Sequence, residues 1–470
     1  MTTNRRSFLK GLAAAPHVAS TSRAATRRPN VVMIMTDDHG AWATGAYGCA
    51  DIHTPNIDRL ARDGAKFTRA FACTPVCSPS RMTYMTGKLP AQHGVEDYLI
   101  VDDAFGPTSR AFIDGHTTYS EILARNGYTL GMCGKWHMGH DDQAQRGFGF
   151  WATVPGGGGT YRDPEFVKNG VRQKMTGFKT NLVGDAALEF LDGAKGRPFY
   201  LLIPFYAPHT PYDYQPEEFR KPYANSTFPC FPNDPVHPWQ NPGLRKDHRN
   251  EESKRSYSAL VTGVDHNVGR VLRKLEQLGE RDNTLVVFTA DQGYNCGHHG
   301  VWGKGNGTIP FNMYEESIRV PMIWNHPGRI RPGQALDPMV SSYDYMPTLL
   351  DYLGLPPHRD PALVGHSYAG FLTGKAPRWR NRLYHEYCYV RALRSENLKY
   401  IERTEGWPSE LYDLEADPGE TRNVINEPAY ARQVTALRTE LAQFFSRASA
   451  PPLDQWRSVV KQRLNQYKRP

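Results

Sequence analysis

Apolar residues in this chain fall into short unbroken runs, separated by longer stretches in which they recur every three or four positions. Asn30-Val31-Val32-Met33-Ile34-Met35 is continuous and then empties into Thr36-Asp37-Asp38-His39-Gly40. Such a run predicts a strand covered on both faces, with acids at its carboxyl end. After Thr54, Ile57, Leu60 and Ala61 share one helical face, and Gly64 marks the stop. Residues 120–127 read as a helix ending in Asn126-Gly127 and leading to a short strand over 128–132. Residues 182–192 read as helix and 198–203 as another buried strand. A long helix over 253–278 puts Val264, Val268, Val271, Leu272 and Leu275 on one stripe, ahead of a strand at 284–288. This alternation predicts an α/β fold: a large, mostly parallel mixed sheet flanked by helices, with its ligand site at the carboxyl ends of the strands.

Past residue 380 the texture changes. Short strands at 382–387, 398–401 and 411–414 precede an amphipathic helix at about 428–446, which predicts a small antiparallel sheet under a covering helix. The expected organisation is a leader over 1–28, a main domain over 29–380, a C-terminal α+β subdomain over 381–446 and a basic tail over 447–470. Gly156-Gly157-Gly158-Gly159 lacks the Lys-Ser/Thr of a phosphate loop and reads as a flexible connection.

Composition narrows the class. With 39% hydrophobic and 22% charged residues in 470, disordered and fibrous classes drop out, and no run approaches the ~20 apolar residues of a membrane span. The formal charge of +8 belongs to the two ends. Arg5, Arg6, Lys10, Arg23, Arg27 and Arg28 lie in the leader, and Arg457, Lys461, Arg463, Lys468 and Arg469 in the tail, so the body between them is slightly acidic. That distribution argues against a nucleic-acid groove. Asn4-Arg5-Arg6-Ser7-Phe8-Leu9-Lys10 before Gly11-Leu12-Ala13-Ala14-Ala15 resembles a twin-arginine export signal, so the protein is expected in the periplasm or secreted. Seven cysteines without paired metal spacings suit neither a zinc site nor a disulfide framework, and allow at most one or two bridges.

The candidate chemistry starts from the acids. Asp37 and Asp38 follow one strand and Asp291-Gln292-Gly293 another, so three carboxylates and a carboxamide oxygen can converge at the sheet edge. These are hard donors, suited to calcium or magnesium rather than zinc. Elsewhere the chain carries Cys77-Ser78-Pro79-Ser80-Arg81, Gly134-Lys135-Trp136-His137-Met138-Gly139, Ala207-Pro208-His209-Thr210-Pro211 and Gly297-His298-His299-Gly300 with Lys304 downstream. It closes on Glu410-Leu411-Tyr412-Asp413-Leu414 and Asp417-Pro418-Gly419-Glu420.

In residue type and order these blocks resemble the type I, formylglycine-dependent sulfatases of the alkaline phosphatase-like superfamily, over about residues 29–446. The resemblance implies that a formylglycine-generating enzyme oxidises Cys77 to 3-oxoalanine, the nucleophile. It implies that Asp37, Asp38, Asp291, Gln292 and the modified residue 77 hold the cation, calcium or alternatively magnesium, with Gln292 standing where Asn is commoner. Arg81 would sit beside the nucleophile, Lys135 and Lys304 would bind sulfate, His137 would hydrogen-bond the nucleophile, and His209 would contact the leaving-group oxygen. His299 takes the matched position of its block and His298 inherits no role. The implied reaction is hydrolysis of a sulfate monoester on a carbohydrate or aryl substrate. Two alternatives stand beside it: a phosphonate monoester or phosphodiester hydrolase of the same superfamily, and a non-catalytic protein that binds sulfated glycan. Loops at 95–115, 154–180 and 212–250 are expected to shape the pocket, with Trp239, Tyr212 and Tyr214 as candidates for stacking on sugar.

Overall fold

The computed structural model describes Met1, residues 27–404 and residues 406–455. The twin arginines and apolar stretch of the leader, and the tail from Trp456 onward, lie outside the described residues. Among the described residues no helix is long and apolar enough to cross a membrane.

A ten-stranded sheet organises the chain. Its order is Gln334–Leu336, Ala65–Phe67, Met322–Asn325, Thr284–Ala290, Asn30–Thr36, Phe199–Pro204, Thr129–Gly134, Phe148–Thr153, Glu165–Lys168 and Val171–Lys174. The five strands from Thr284–Ala290 to Phe148–Thr153 are all parallel, and antiparallel pairings flank them. Asn30–Thr36 shows why its run is apolar throughout. Val32 and Ile34 face the core under helices Pro55–Arg62, Lys179–Ala194 and Glu251–Gln277. Val31, Met33 and Met35 face the opposite core under Cys77–Thr86, Tyr119–Arg125 and Tyr345–Tyr352. A strand covered on both sides has no polar face to alternate with.

Several described elements escaped the sequence pattern, and three of them show why. The helix Cys77–Thr86 buries all ten of its residues, so no apolar stripe marks it. Phe148–Thr153 carries Gly149 and is partly exposed at its start. Val390–Arg394 reads as half charged, yet Arg391 and Arg394 are buried in ion pairs with Glu386 at 2.7 Å and Glu315 at 3.3 Å.

Leu383–Tyr387, Val390–Arg394, Leu398–Arg403 and Glu410–Asp413 form a sequential antiparallel sheet, packed by the helix Ala431–Arg447. This sheet shares one core with Phe71, Cys73, Val76 and Cys77. The Glu386 N–H donates to Cys73 O at 3.0 Å and His385 Nδ1 to Ala72 O at 2.9 Å. The change of texture near residue 380 is therefore not a break in packing. The C-terminal sheet buttresses the segment that enters the Cys77 helix.

Candidate active site

Four parallel strands deliver the candidate residues from their carboxyl ends. Asp37 and Asp38 follow Asn30–Thr36, Lys135 and His137 follow Thr129–Gly134, His209 follows Phe199–Pro204, and Asp291 and Gln292 follow Thr284–Ala290. This is where a parallel sheet leaves a crevice. Cys77 arrives separately, as the first residue of its helix, and the motif around it fastens that helix to the sheet. Ser80 Oγ donates to Asp291 O, and Ser78 Oγ accepts the Leu99 N–H at 3.1 Å.

Arg81 makes the firmest connection. Its Nε donates to Asp291 Oδ2 at 2.8 Å, its Nη2 lies 2.6 Å from the same oxygen and 3.4 Å from Asp37 Oδ2, and Nη1 donates to Lys135 O at 2.5 Å. One planar fork thus ties the Cys77 helix to three strand ends, a geometry an ammonium cannot copy. Removing the fork leaves buried carboxylates uncompensated. In the metal-free protein, Arg81→Ala is expected to lower unfolding free energy by about 3–5 kcal/mol, measured by urea denaturation.

Around Arg81 the charges interlock. Lys135 Nζ pairs with Asp37 Oδ2, and Lys304 Nζ lies 2.7 Å from Asp38 Oδ1 and 3.9 Å from Asp37 Oδ1. Burial works against ionised Asp37, but Lys135, His209, Lys304 and Arg81 outweigh it and hold its carboxyl well below the usual range. Asp291 goes the other way: burial, then the Asp37 charge, push it to about 7 despite Arg81, Lys304 and Lys135. Burial opposes the charge on Lys304, yet Asp38 and its neighbours raise it above the ordinary value, so this lysine stays cationic. Burial also pushes the Cys77 thiol up, against the pull of Lys135 and Lys304. An unmodified Cys77 is thus a thiol at neutral pH, a poor nucleophile.

The two histidines are held differently. His137 Nε2 lies 3.0 Å from Leu99 O, which makes that nitrogen the donor and leaves Nδ1 a buried acceptor without a partner. Burial, then Lys135 and Arg81, keep the ring well below its usual pKa and so neutral. His209 Nδ1 faces Thr210 O, and its Nε2 lies 3.5 Å from Asp38 Oδ2. Burial lowers it to about 4 although Asp38 and Asp37 push upward. Asp38 and His137 both adopt left-handed backbone, at φ +63° and +60°. Non-glycine residues hold that conformation only where their surroundings enforce it.

The donor set fits a hard cation. Ligand atoms of Asp37, Asp38 and His209 lie within 4.8 Å of one another, and Asp291 joins them through the shared Arg81. Gln292 turns its Nε2 to Asp37 Oδ1 at 3.0 Å and Asp38 Oδ1 at 2.7 Å, while its Oε1 is buried and accepts no hydrogen bond. A buried acceptor without a donor is costly. A half-turn of the amide would bring that oxygen to the acids, the arrangement a calcium or magnesium ion requires.

Cys77, Asp38, Lys135, His137, His209 and Lys304 line a single cavity of about 420 Å³. Arg81, Asp37, Asp291 and Gln292 lie behind them, at most 2% exposed. Each of the three expected loops contributes a wall, through residues 98–101, Gly156 and Gly157, and Leu244. Trp239, Tyr212 and Tyr214 are not among the lining residues. Trp239 sits under Arg403, Tyr212 packs edge-on to Trp302, and Tyr214 lies under Arg162. His299 also points elsewhere, 2.6 Å from Glu316 Oε2, and His298 packs on Trp42.

The glycine run differs from its expected role as a flexible connection. Gly156 and Gly157 are buried, and Asp141, which holds the His137 N–H at 3.2 Å, also takes the Gly156 N–H at 3.0 Å. Lys179 Nζ donates to the Gly158 and Gly159 carbonyls at 3.0 and 2.7 Å. A Cβ on Gly157 would fall 2.2 Å from the His137 ring, and its φ is +66°. Position 157 is glycine because its backbone packs against His137. Asp141, in a loop, and Lys179, at the start of the helix Lys179–Ala194, carried no motif signal, since single polar residues look alike until the fold brings them together.

Comparison with known proteins gives the same picture. The sulfatase family profile matches residues 29–355, and the profile of the N-sulphoglucosamine sulphohydrolase C-terminal region matches 297–447. An N-acetylglucosamine-6-O-sulfatase from Bacteroides thetaiotaomicron is 29% identical, over 89% of this chain and 86% of its own length. Human arylsulfatase A is 29% identical, over 91% and 88%. A solved structure in complex with its substrate D-glucosamine-2-N,6-O-disulfate superimposes with a TM-score of 0.79 at 25% identity, covering 91% of this chain and all of that one.

Proposed function

Because this chain belongs to the sulfatase family and is a sulfatase enzyme, we propose that it cleaves sulfate monoesters of carbohydrates with a formylglycine made from Cys77, beside a bound calcium ion, after export along a twin-arginine route. The observation that carries the reading is the convergence of Cys77, Lys135, Lys304, His137 and His209 on one cavity backed by the carboxylate cluster. Two sugar-sulfate names among its relatives favour a carbohydrate over an aryl substrate.

Asp37, Asp38, Asp291 and Gln292 would hold the cation, which supplies positive charge to the sulfuryl oxygens and to the attacking hydroxyl. The hydrated aldehyde supplies two hydroxyls on one carbon, one to take up the sulfuryl group and one to expel sulfate. Arg81, Lys135 and Lys304 already balance Asp37, Asp38 and Asp291. The charge a divalent ion adds is therefore surplus, and an anionic ester satisfies it. Lys135 and Lys304 draw charge from the sulfuryl oxygens as the bond to the leaving group lengthens. His137, neutral and with Nδ1 unpaired, accepts a proton from the second hydroxyl. His209 protonates the departing oxygen once the bound anion favours its imidazolium form.

That last role carries its own signature. His209→Ala is expected to cost about 10²–10⁴-fold in kcat on a sugar sulfate, whose alkoxide leaves poorly, and far less on nitrophenyl sulfate, which needs little proton assistance. Equal losses on both would remove His209 from the leaving group. The substrate class itself is tested by rates on 6-O-sulfated glucosamine, an aryl sulfate and the matched aryl phosphonate. The sugar sulfate should lead. Dominance of the phosphonate would favour the sister hydrolase activity.

A further inference from the structure

Beyond the carboxylate cluster, the sulfur atoms of Cys49 and Cys230 and a carboxylate oxygen of Asp51 lie within 4.8 Å of one another. The Cys230 thiol is close enough to Cys49 to act on its ionisation. The Cys230 N–H donates to Asp51 Oδ2 at 2.8 Å across 179 positions of sequence, which fixes the backbone beside one sulfur on the loop that carries the other. Cys49 is 2% exposed and Cys230 half-buried, so one sulfur meets solvent and the second waits beneath it. We propose that Cys49 and Cys230 form a disulfide bond fastening the segment 224–250 to the loop beyond the strand Asn30–Thr36.

The segment has reason to need it. Residues 224–250 contain Pro229, Pro232, Pro235, Pro238 and Pro242, which give up backbone N–H donors, and their one described element is the short turn Pro242–Asp247. Yet the segment reaches the active site. Phe231 packs on Trp42 with ring centroids 5.1 Å apart, the His237 N–H donates to Gly300 O at 2.9 Å, and Leu244 lines the catalytic cavity. A covalent tie at position 230 holds the start of this wall.

A soft metal ion is the competing occupant, and the donor set argues against it. Such a site requires both thiols as thiolates. Burial and the neighbouring Cys230 push the Cys49 thiol upward, which penalises a thiolate and leaves a neutral disulfide untouched. Asp51 already spends an oxygen on the Cys230 N–H.

The bond forms by thiol–disulfide exchange with a small disulfide oxidant such as oxidised glutathione. The accessible Cys230 thiolate attacks one glutathione sulfur and displaces the other as a thiolate. Cys49, losing its proton, then attacks the Cys230 sulfur of the mixed disulfide and displaces the second glutathione. The two protein sulfurs lose two electrons, the oxidant gains them, and the two protons end on two glutathione thiols.

The test uses the full-length protein equilibrated with oxidised glutathione, denatured without reductant, alkylated with N-ethylmaleimide, digested and weighed. The expected result is one species joining the peptides that bear positions 49 and 230, two hydrogens lighter than their sum, with Cys73, Cys133 and Cys296 all labelled. A thermal scan gives an independent reading. Dithiothreitol should lower the melting temperature of the wild type by on the order of 5 °C and leave Cys49→Ser/Cys230→Ser unchanged. Label on both Cys49 and Cys230, with or without bound zinc by metal analysis, would overturn the proposal. So would an equal response of wild type and double variant to reductant.

Discussion

Cys77→Ala is expected to abolish turnover, with kcat on any sulfate ester at least ~10⁴-fold below the formylglycine-bearing protein. The expectation follows from position as much as chemistry. Residue 77 lies at the floor of the cavity, 3% exposed, at the head of a helix that Ser80 and Arg81 pin to the end of the Thr284–Ala290 strand. Among the described residues that line the cavity, Cys77 is the only cysteine and no serine joins it. Unmodified Cys77 should be nearly as inactive as alanine, because burial keeps it a thiol and a sulfur adduct has no second hydroxyl with which to release sulfate. Cys77→Ser separates the two halves of the cycle. Its single hydroxyl permits at most one sulfuryl transfer, so rapid-mixing experiments should detect no more than one equivalent of product. Steady turnover by the serine or the unmodified cysteine protein would contradict the argument.

Removal of the cation is expected to have the second largest effect. Exhaustive chelation should reduce kcat by about 10³-fold or more, since the sulfuryl oxygens then lose their strongest source of charge. Added calcium should restore it. The fold should survive, because Lys135, Lys304 and Arg81 already neutralise Asp37, Asp38 and Asp291, and circular dichroism should be unchanged. A readout independent of activity follows from linkage: calcium at a hundredfold excess over Kd should stabilise the protein by about 2.7 kcal/mol. Asp38→Asn should remove most of that gain. Retention of full activity after chelation, or calcium stabilisation unaffected by Asp38→Asn, would remove the metal from this cluster.

Asp37, Asp38 and Asp291 were legible before the fold because the alternation of buried runs and amphipathic stripes put them after strands, and parallel strands present their carboxyl ends together; Lys135 and His209 were singled out by the resemblance of their blocks to the sulfatase family. The helix bearing Cys77 was not legible as a helix, since complete burial erases the stripe that periodicity detects. Val390–Arg394 hid for a related reason: its arginines look like surface residues until Glu386 and Glu315 are brought to them by distant parts of the chain. The pocket walls were visible only as loops. Aromatic residue type suggested Trp239, Tyr212 and Tyr214, but ring type does not tell stacking on a ligand from packing on Arg403, Trp302 or Arg162. The tetraglycine run read as slack, whereas at Gly157 close approach to His137 is what excludes a side chain.

The most direct test is to weigh the peptide bearing position 77 from preparations that differ in specific activity. An aldehyde should stand in place of the thiol, with kcat proportional to the fraction of chains that carry it. A fully active preparation in which position 77 is cysteine alone would contradict it.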